Sequence, residues 1–139
     1  MTELCLLAQE LKDAEMSANV RLDARFFDAM NNKDVEGALA CFIDTPDLVV
    51  VIHGKALYGP SAVRQFLTEL FSGMRAIHGE ITEIKHWSLG ETVFAVGTAT
   101  CEFESIDGTR STLKECWTDA RQKVAGRWAY VLHFREQAP

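Results

Sequence analysis

The stretch ETVFAVGTATCEFESIDGTRSTLKECWTDARQK, residues 91–123, decides the fold class of this chain. It contains two runs rich in β-branched and aromatic residues, and the pair Asp107–Gly108 separates them. An Asp-Gly pair between two such runs is typical of a tight β-hairpin. The stretch therefore predicts two long antiparallel strands.

Similar segments lie on either side of this hairpin. Residues 76–89 precede the hairpin and are separated from it by Gly90. Residues 127–135 follow the hairpin and are separated from it by the pair Ala125–Gly126. Both segments carry β-branched and aromatic residues, and both breaks suit hairpin turns. The chain from about residue 77 onward therefore predicts a meander of four strands.

The first half of the chain has the periodicity of helices. A first amphipathic helix is predicted from Leu4, Leu7 and Leu11, with Thr2 as a possible cap. Three further helices are predicted by a stripe at Leu22, Phe26, Phe27 and Met30, by a short segment that Asp34 can cap, and by Val63, Phe66, Leu67, Leu70 and Phe71 after the start at Gly59–Pro60. Between them, residues 48–52 form an apolar run that indicates a strand covered on both sides.

Helices first and a meander afterwards indicate an α+β domain, with the helices packed on one face of a curved antiparallel sheet. At 139 residues the chain is long enough for one core, and we expect a single domain over residues 1–139. No repeat, linker or low-complexity segment interrupts it.

Composition excludes several function classes. The net charge is -6 and the 14 basic residues are scattered, which disfavours nucleic-acid binding. The longest strongly apolar run, residues 48–52, is far too short to cross a bilayer. No export signal is visible at the start, and the four cysteines form no CxxC pair. We therefore expect a soluble cytoplasmic protein with reduced thiols and neither metal nor cofactor.

Four segments together resemble a known family. They are RFFDAMNNKDVEGALACF (25–42), LYGPSAVRQFL (57–67), LGETVFAVGTATCEFESIDGTR (89–110) and GRWAYVLHF (126–134). In this order they are similar to the SnoaL-like branch of the nuclear transport factor 2-like, or cystatin-like, superfamily. The resemblance implies a cone of helices and sheet that is open at one end, and a homodimer formed through the outer face of the sheet.

The resemblance also allows one mechanism to be tested. Ketosteroid isomerases of this superfamily use an aspartate base, a tyrosine and a protonated aspartic acid. Here the tyrosine position falls on Phe26 or Phe27 and the base position falls within the valines 49–51. The acid falls near Thr118, with Glu115 and Asp119 as neighbours that a register slip could substitute. Phenyl and valine side chains cannot donate or accept the required proton. The isomerase mechanism is therefore not expected.

Two polar residues remain as candidates for other acid–base chemistry. His53 follows the predicted strand at 48–52, where it lies either at the mouth of a cone or on the surface at a strand end. Glu115 shares a strand face with Trp117, so it is a plausible acid or base if that face is internal, and a solvated residue if the register slips by one.

Two other histidines, His78 and His86, lie on a predicted strand with Glu80, Glu83 and Lys85 around them. We expect both histidines to lie on the solvated outer surface.

The sequence of the last strand allows two arrangements, which differ in the face of the sheet that His133 occupies. Regular alternation places Trp128, Tyr130, Leu132 and Phe134 on one face and His133 on the other, together with Arg135. If the aromatic face packs against the helices, His133 lies outside. If the opposite register holds, His133 and Arg135 face a pocket and could hold an anion or carboxylate. Relatives place histidines at the positions of Leu132 and Phe134, so a β-bulge would be needed to give His133 their role. The first arrangement is the one predicted.

The expected function is a small-molecule pocket of the SnoaL-like type for a hydrophobic or polyketide-like compound. His53, Glu115 and His133 are the candidate acids or bases for an isomerase, cyclase or hydratase, and whether the protein is an enzyme stays open. The residues expected to line the pocket are Phe26, Tyr58, Phe66, Phe94, Trp117 and Tyr130. The alternative is a non-catalytic association or ligand-sensing module. An open cavity with convergent histidine and carboxyl groups would favour the first hypothesis.

Overall fold

The computed structural model describes residues 12–138. Its elements in chain order are α1 (Asp13–Asn31), α2 (Val35–Leu39), β1 (Val49–Ile52), β2 (Lys55–Tyr58), α3 (Gly59–Ser72), β3 (Met74–Leu89), β4 (Thr92–Ser105), β5 (Arg110–Val124) and β6 (Arg127–Gln137). The helix predicted from Leu4, Leu7 and Leu11 lies outside the described residues. No helix between residues 12 and 138 has the length and apolar character of a membrane span.

The six strands form one open sheet in the order β2-β1-β6-β5-β4-β3. The meander from β3 to β6 is antiparallel throughout, as predicted. The pairing of β1 with β6 is parallel, which differs from the fully antiparallel sheet expected. The predicted α+β class, with helices before a long meander, is confirmed.

The helix starts follow local sequence. The carboxylate of Asp34 accepts a hydrogen bond from the backbone N–H of Gly37, so it caps α2 as predicted. Helix α3 begins at Gly59, whose φ is +82°, and Pro60 occupies the first turn, where its missing N–H has no partner to lose. The turn at Gly59 and Pro60 therefore fixes where α3 leaves the β1–β2 hairpin.

The core lies between the helices and the inner face of the sheet. Phe26 of α1 is its aromatic centre, with ring contacts to Phe27, Phe42 and Tyr130 at centroid distances of 5.6–6.1 Å. Trp117 lies flat against β4, where a Cβ added at Gly97 would collide with its ring. The glycine therefore makes room for the tryptophan.

A β-bulge in β6 decides which side chains face the core. Leu132 pairs with Ala120 and Tyr130 pairs with Arg121, so Val131 is one extra residue on β6. An extra residue reverses the alternation beyond it. His133 is accordingly 2% exposed, whereas Leu132 is 43% exposed. The prediction that His133 lies on the outer surface was wrong, because regular alternation does not hold across the bulge.

A second bulge lies in β3. Ile81 pairs with Ala99 and Glu83 with Thr98, which leaves Thr82 as the extra residue. The alternation reverses here as well, so His78 stays exposed while His86 is 6% exposed and faces the core. The expectation that both histidines are solvated was wrong for His86.

Candidate functional site

The inner face of the sheet and the helices enclose a cavity of about 250 Å³. Its lining is mostly apolar, with Phe26, Phe42, Val50, Val63, Phe66, Leu67, Leu70, Ile77 and Phe103 among the residues that form it. Polar and charged groups interrupt this wall, among them His53, Glu115, His133 and Arg135. The three candidate acid–base residues predicted from separate parts of the sequence therefore meet in one cavity.

His53 lies at the mouth of the cavity, on the two-residue turn between β1 and β2. Its φ is +47° and that of Gly54 is +81°, which is the backbone of a type I′ turn. The imidazole Nε2 of His53 lies 3.0 Å from Oε2 of Glu115. The side chain of His53 is 44% exposed and that of Glu115 is 5% exposed. The pair therefore joins bulk water to a buried carboxyl group.

Arg135 continues this chain of polar groups inward. Its Nη1 lies 3.5 Å from Oε1 of Glu115. The guanidinium carbon lies 5.1 Å from the ring centroid of Trp117, with the rings of Phe27 and Phe26 at 5.5 Å and 5.8 Å. Contact with aromatic faces and with a carboxylate compensates a buried cation. The wall of the cavity therefore holds an arginine that is only 8% exposed.

His133 is the innermost of these polar groups and lies among the rings of Phe26, Phe42 and Tyr130. Burial, together with the positive charges of Arg135 and Arg121, holds the pKa of His133 well below its ordinary value of 6.5. Nε of Arg135 donates to Nε2 of His133 at 3.4 Å, so this nitrogen is an acceptor. His133 is therefore a neutral imidazole whose proton is on Nδ1.

Two buried donor atoms among these polar groups have no hydrogen-bond partner within the described residues. They are Nδ1 of His133 and Nη2 of Arg135. A buried donor without a partner is unfavourable by roughly 1–3 kcal/mol, so native proteins rarely keep one without a reason. Both residues line the cavity, although the two donor atoms themselves have almost no accessible surface.

Two other polar side chains of the wall, Asn31 and Cys101, are not available for hydrogen bonding or for nucleophilic attack, respectively. The amide of Asn31 accepts from the backbone N–H of Gly79 and donates to the carbonyl of the same residue. Burial and the neighbouring Glu115 raise the pKa of the Cys101 thiol to about 12. Cys101 is therefore protonated at neutral pH and is not a nucleophile.

The aromatic residues predicted to line the cavity fall into three groups. Phe26 and Phe66 do line it. Trp117 and Tyr130 are buried beneath the wall and are not part of the lining. Tyr58 and Phe94 are 70% and 39% exposed, so their predicted place in the pocket was wrong. Phe94 lies on the outer face because β4 alternates without a bulge, and Tyr58 precedes α3 on the edge strand β2.

A second buried polar cluster lies away from the cavity, under α1. Arg121 is fully buried and forms two-pronged hydrogen bonds to Asp119 and to Asp23, at 2.8–3.0 Å. Tyr130 donates its hydroxyl to Asp23 at 2.6 Å, and Nε2 of His86 lies 3.0 Å from the same carboxylate. We call these five residues the closed cluster, and His53, Glu115, Arg135 and His133 the open cluster.

The buried charges of the closed cluster are stabilised by hydrogen bonds and ion pairs among its own residues. Burial alone would raise the pKa of Asp23, but the hydrogen bond from His86 and the charge of Arg121 outweigh burial and lower it below 3.8. Burial raises the pKa of Asp119 despite its contact with Arg121. Asp23 was not among the candidate residues predicted from the sequence. The signal was its place in the stripe at 23, 26, 27 and 30, where a charged residue requires a buried partner.

The open cluster can move a proton between water and the cavity. Histidine and carboxyl side chains are the usual acids and bases of enzymes. No group of three or more His, Cys, Asp or Glu residues within residues 12–138 is arranged to hold a metal ion.

Comparison with solved structures shows the same fold in other proteins. A proposed dehydratase of the nuclear transport factor 2-like family from Streptomyces avermitilis matches with a TM-score of 0.83 at 15% identity, over 92% of this chain and 99% of that one. A proposed scytalone dehydratase from Novosphingobium aromaticivorans gives 0.84 at 16% identity, over 100% and 89%. A protein of unknown function with a cystatin-like fold from Nostoc punctiforme gives 0.76 at 19% identity, over 94% and 96%.

The search of curated proteins found no match. The family model of the SnoaL-like domain matches residues 24–136, which is most of the chain and includes the open cluster and all of the closed cluster except Asp23. This match agrees with the resemblance on which the sequence prediction depends. The chain therefore belongs to the SnoaL-like domain family and has its α+β, nuclear transport factor 2-like fold.

Proposed function

We propose that this protein binds a small hydrophobic molecule in the cavity and transfers protons to and from it with Glu115 and His53. The observation that carries this proposal is the 3.0 Å contact between His53 and buried Glu115 at the mouth of an apolar cavity. Ligand sites are typically apolar concavities with a few convergent polar groups. Isomerisation, cyclisation and hydration all fit such a site.

The roles of the two residues follow from their exposure. Glu115 is buried and faces the cavity, so it is the group that takes a proton from, or returns one to, a bound molecule. His53 contacts both Glu115 and solvent, so it orients the carboxyl group and exchanges its proton with water. Two of the similar structures are proposed dehydratases, a reaction that also needs such proton transfers.

The size of the cavity limits the ligand. Drug-sized ligands occupy pockets of about 300–1,000 Å³, and an engineered cavity of about 150 Å³ binds benzene. A volume of about 250 Å³ lies between these values. The ligand is therefore a compact molecule of one or two rings, smaller than a steroid or a long polyketide.

Binding can be tested with a cavity-filling variant. Leu113→Trp places a large ring in the wall of the cavity, and Leu89→Trp places the same ring at an exposed strand end. We expect a two-ring ketone such as tetralone to raise the melting temperature of the wild type and of L89W, but not that of L113W. An equal shift in all three proteins, or a shift in none, would refute the pocket.

Proton transfer can be tested with the same ketone. Tetralone carries exchangeable hydrogens next to its carbonyl, and their replacement by deuterium in heavy water can be followed by mass spectrometry. We expect the wild type to catalyse this exchange and Glu115→Gln to lose at least 100-fold of the rate. If E115Q binds tetralone and exchanges it as fast as the wild type, Glu115 is not the base.

The outer face of the sheet supports a second candidate, association of two copies. Phe94, Val96, Leu132 and Phe134 are each 39–43% exposed, and strand pairing places them in two adjacent rows with Ala120 and Thr118 between them. Contiguous exposed apolar residues typically mark an interface. A homodimer through this face is compatible with a pocket on the opposite face.

Association can be measured by light scattering after size-exclusion chromatography. We expect the wild type to elute as a dimer and Leu132→Glu as a monomer. Val20→Glu is the matched control, because Val20 is 49% exposed on α1, away from the sheet. A monomeric wild type, or a dimeric L132E, would contradict the proposed interface.

A further inference from the structure

The turn between β1 and β2 has to be held in place for His53 to reach Glu115. It consists of His53 and Gly54, whose φ angles are +47° and +81°. A residue other than glycine is uncommon at such an angle and keeps it only when its surroundings support it. The turn also lies at the mouth of the cavity, and the side chain of His53 is 44% exposed. The 3.0 Å contact between His53 and Glu115 therefore depends on what fixes the turn.

Strand β6 supplies two hydrogen bonds to this turn. The backbone N–H of His53 donates to the carbonyl oxygen of Arg135 at 2.9 Å. The backbone N–H of Gly54 donates to Oε1 of Glu136, also at 2.9 Å. The parallel pairing of β1 with β6 ends at Ile52 and Arg135, so the second bond uses a side chain where the backbone ladder has ended. Glu136 thus attaches the tip of the turn to the strand.

The same two residues of β6 contact both partners of the acid–base pair. Nη1 of Arg135 lies 3.5 Å from Oε1 of Glu115. The carbonyl of Arg135 and the carboxylate of Glu136 accept the two hydrogen bonds from the turn that carries His53. In the sheet, β6 lies between β1 and β5, and Glu115 is on β5. The position of the imidazole relative to the carboxyl group is therefore set through β6.

Glu136 is not itself part of the cavity. Its neighbour Arg135 lines the cavity, but Glu136 does not. A carboxylate that accepts a hydrogen bond from a backbone N–H makes a charge-assisted bond, which is stronger than a bond between neutral groups. Any effect of this carboxylate on a bound molecule therefore has to pass through the turn.

From these contacts we infer that Glu136 is a positioning residue for His53: its carboxylate holds the β1–β2 turn so that the imidazole meets Glu115. The inference rests on the proposed function, since His53 has this part only if protons are transferred in the cavity. Without the hydrogen bond to Gly54, the turn is free to move and the imidazole turns towards solvent. Proton exchange between Glu115 and water then slows, while the apolar wall still binds the ligand.

Two variants of Glu136 test the inference. Glu136→Ala removes the acceptor, and Glu136→Gln keeps an oxygen that can accept from Gly54. We expect E136A to lower kcat for the deuterium exchange of tetralone about three- to ten-fold with KM unchanged, and E136Q to stay within about two-fold of the wild type. Glu91→Ala, at an exposed position of the turn between β3 and β4, is the matched control and should change neither constant.

Two results would overturn the inference. If kcat of E136A equals that of the wild type, the turn does not need the carboxylate. If E136Q is as slow as E136A, the effect comes from the charge of Glu136 and not from its hydrogen bond.

A double variant shows whether Glu136 acts through His53. Substitutions that act through the same contact are not additive. We therefore expect E136A to cause no further loss of kcat when it is combined with His53→Asn. A full additional loss in the double variant would show that Glu136 acts independently of His53, which contradicts a positioning role.

Amide hydrogen exchange gives a measurement that does not depend on activity. The N–H of Gly54 is hydrogen-bonded to Glu136 in the wild type. We expect nuclear magnetic resonance to show slower exchange of this amide in the wild type and in E136Q than in E136A. Equal exchange rates in the three proteins would refute the hydrogen bond on which the inference depends.

Failure of the inference and failure of the proposed function give different results. If the wild type and E136A exchange the hydrogens of tetralone equally fast, the proposed function stands and the positioning role is refuted. If the wild type does not exchange them at all, the proposed function is refuted and the positioning role with it. Loss of Gly54 protection in E136A would then identify a structural contact only.

Discussion

Both polar clusters combine arginine, histidine and carboxylate side chains, but they differ in whether their hydrogen bonds are complete. In the closed cluster the Nε, Nη1 and Nη2 atoms of Arg121 all contact carboxylate oxygens, and Tyr130 and His86 complete the set around Asp23. In the open cluster, Nη2 of Arg135 and Nδ1 of His133 have no hydrogen-bond partner among residues 12–138. Only the open cluster lines the cavity.

This difference distinguishes the closed cluster, which is structural, from the open cluster, which is a candidate ligand site. A saturated network has no donor or acceptor left for a ligand, so its charges contribute to the specificity of the fold and are sensitive to any deletion. An incomplete network beside a cavity keeps donors for something that binds. Burial of charged groups alone would have ranked the closed cluster first, since Arg121 is 0% exposed and Arg135 is 8% exposed.

The largest expected effect comes from opening the closed cluster. Arg121→Met removes the cation between two buried carboxylates, and we expect it to lower the free energy of unfolding by about 3–5 kcal/mol. Urea denaturation measures this. Arg127→Met, at an exposed position, should change it by less than about 0.5 kcal/mol. A loss of under 1 kcal/mol in R121M would show that the closed cluster is not a structural unit.

The same substitution at the open cluster should be milder for stability. Arg135→Met leaves Glu115 with His53 as a partner at the mouth of the cavity, so we expect a loss of about 1–2 kcal/mol in the free energy of unfolding. Ligand affinity should fall more than in any variant of the closed cluster that remains folded. A destabilisation as large as that of R121M would remove the distinction between the clusters.

The pH dependence of stability should carry the signature of His133. The unfolded chain protonates this imidazole near its ordinary pKa of 6.5, and the folded protein keeps it neutral. Below that pH the unfolded state binds the extra proton, so the free energy of unfolding falls by up to about 1.4 kcal/mol per pH unit.

His133→Phe removes that titration, so we expect its stability to decline less steeply than that of the wild type between about pH 7 and pH 5. His78→Phe changes an exposed histidine and should keep the wild-type slope. Urea denaturation across this range provides the measurement. Parallel curves for wild type and H133F would mean that His133 is protonated in the folded protein.

The smallest expected stability effect is at His53. A type I′ turn favours Asn at the positive-φ position that His53 holds, so His53→Asn should leave the free energy of unfolding unchanged or raise it by a few tenths of a kcal/mol. The exchange of tetralone hydrogens should nevertheless fall at least ten-fold. Unchanged exchange in H53N would show that the imidazole serves only the turn.

Much of the fold followed from local sequence. The turns at Gly90, Asp107–Gly108 and Ala125–Gly126, the cap at Asp34 and the stripe of α3 all depend on contacts within a few residues, and the structure has each of them. The family resemblance was also confirmed. The dimer, the single domain over residues 1–139 and the cytoplasmic location remain predictions.

The site was predicted only in part. His53, Glu115 and His133 were chosen as separate candidates, and no local signal showed that they meet. The carboxylate partner of His53 lies 62 positions along the chain, and strand pairing alone brings it within 3.0 Å. Asp23 and His86 show the same limit, because their contact depends on the bulge at Thr82.

The sequence by itself determined most of the elements, the turns and the family, because hydrophobic period and turn chemistry act between near neighbours. The tertiary structure decided which face each histidine occupies. A single extra residue, Val131 in β6 or Thr82 in β3, reverses every side chain beyond it, and its position is set by hydrogen bonding to the neighbouring strand. His133 faces the cavity for that reason, although regular alternation along its own strand would place it outside.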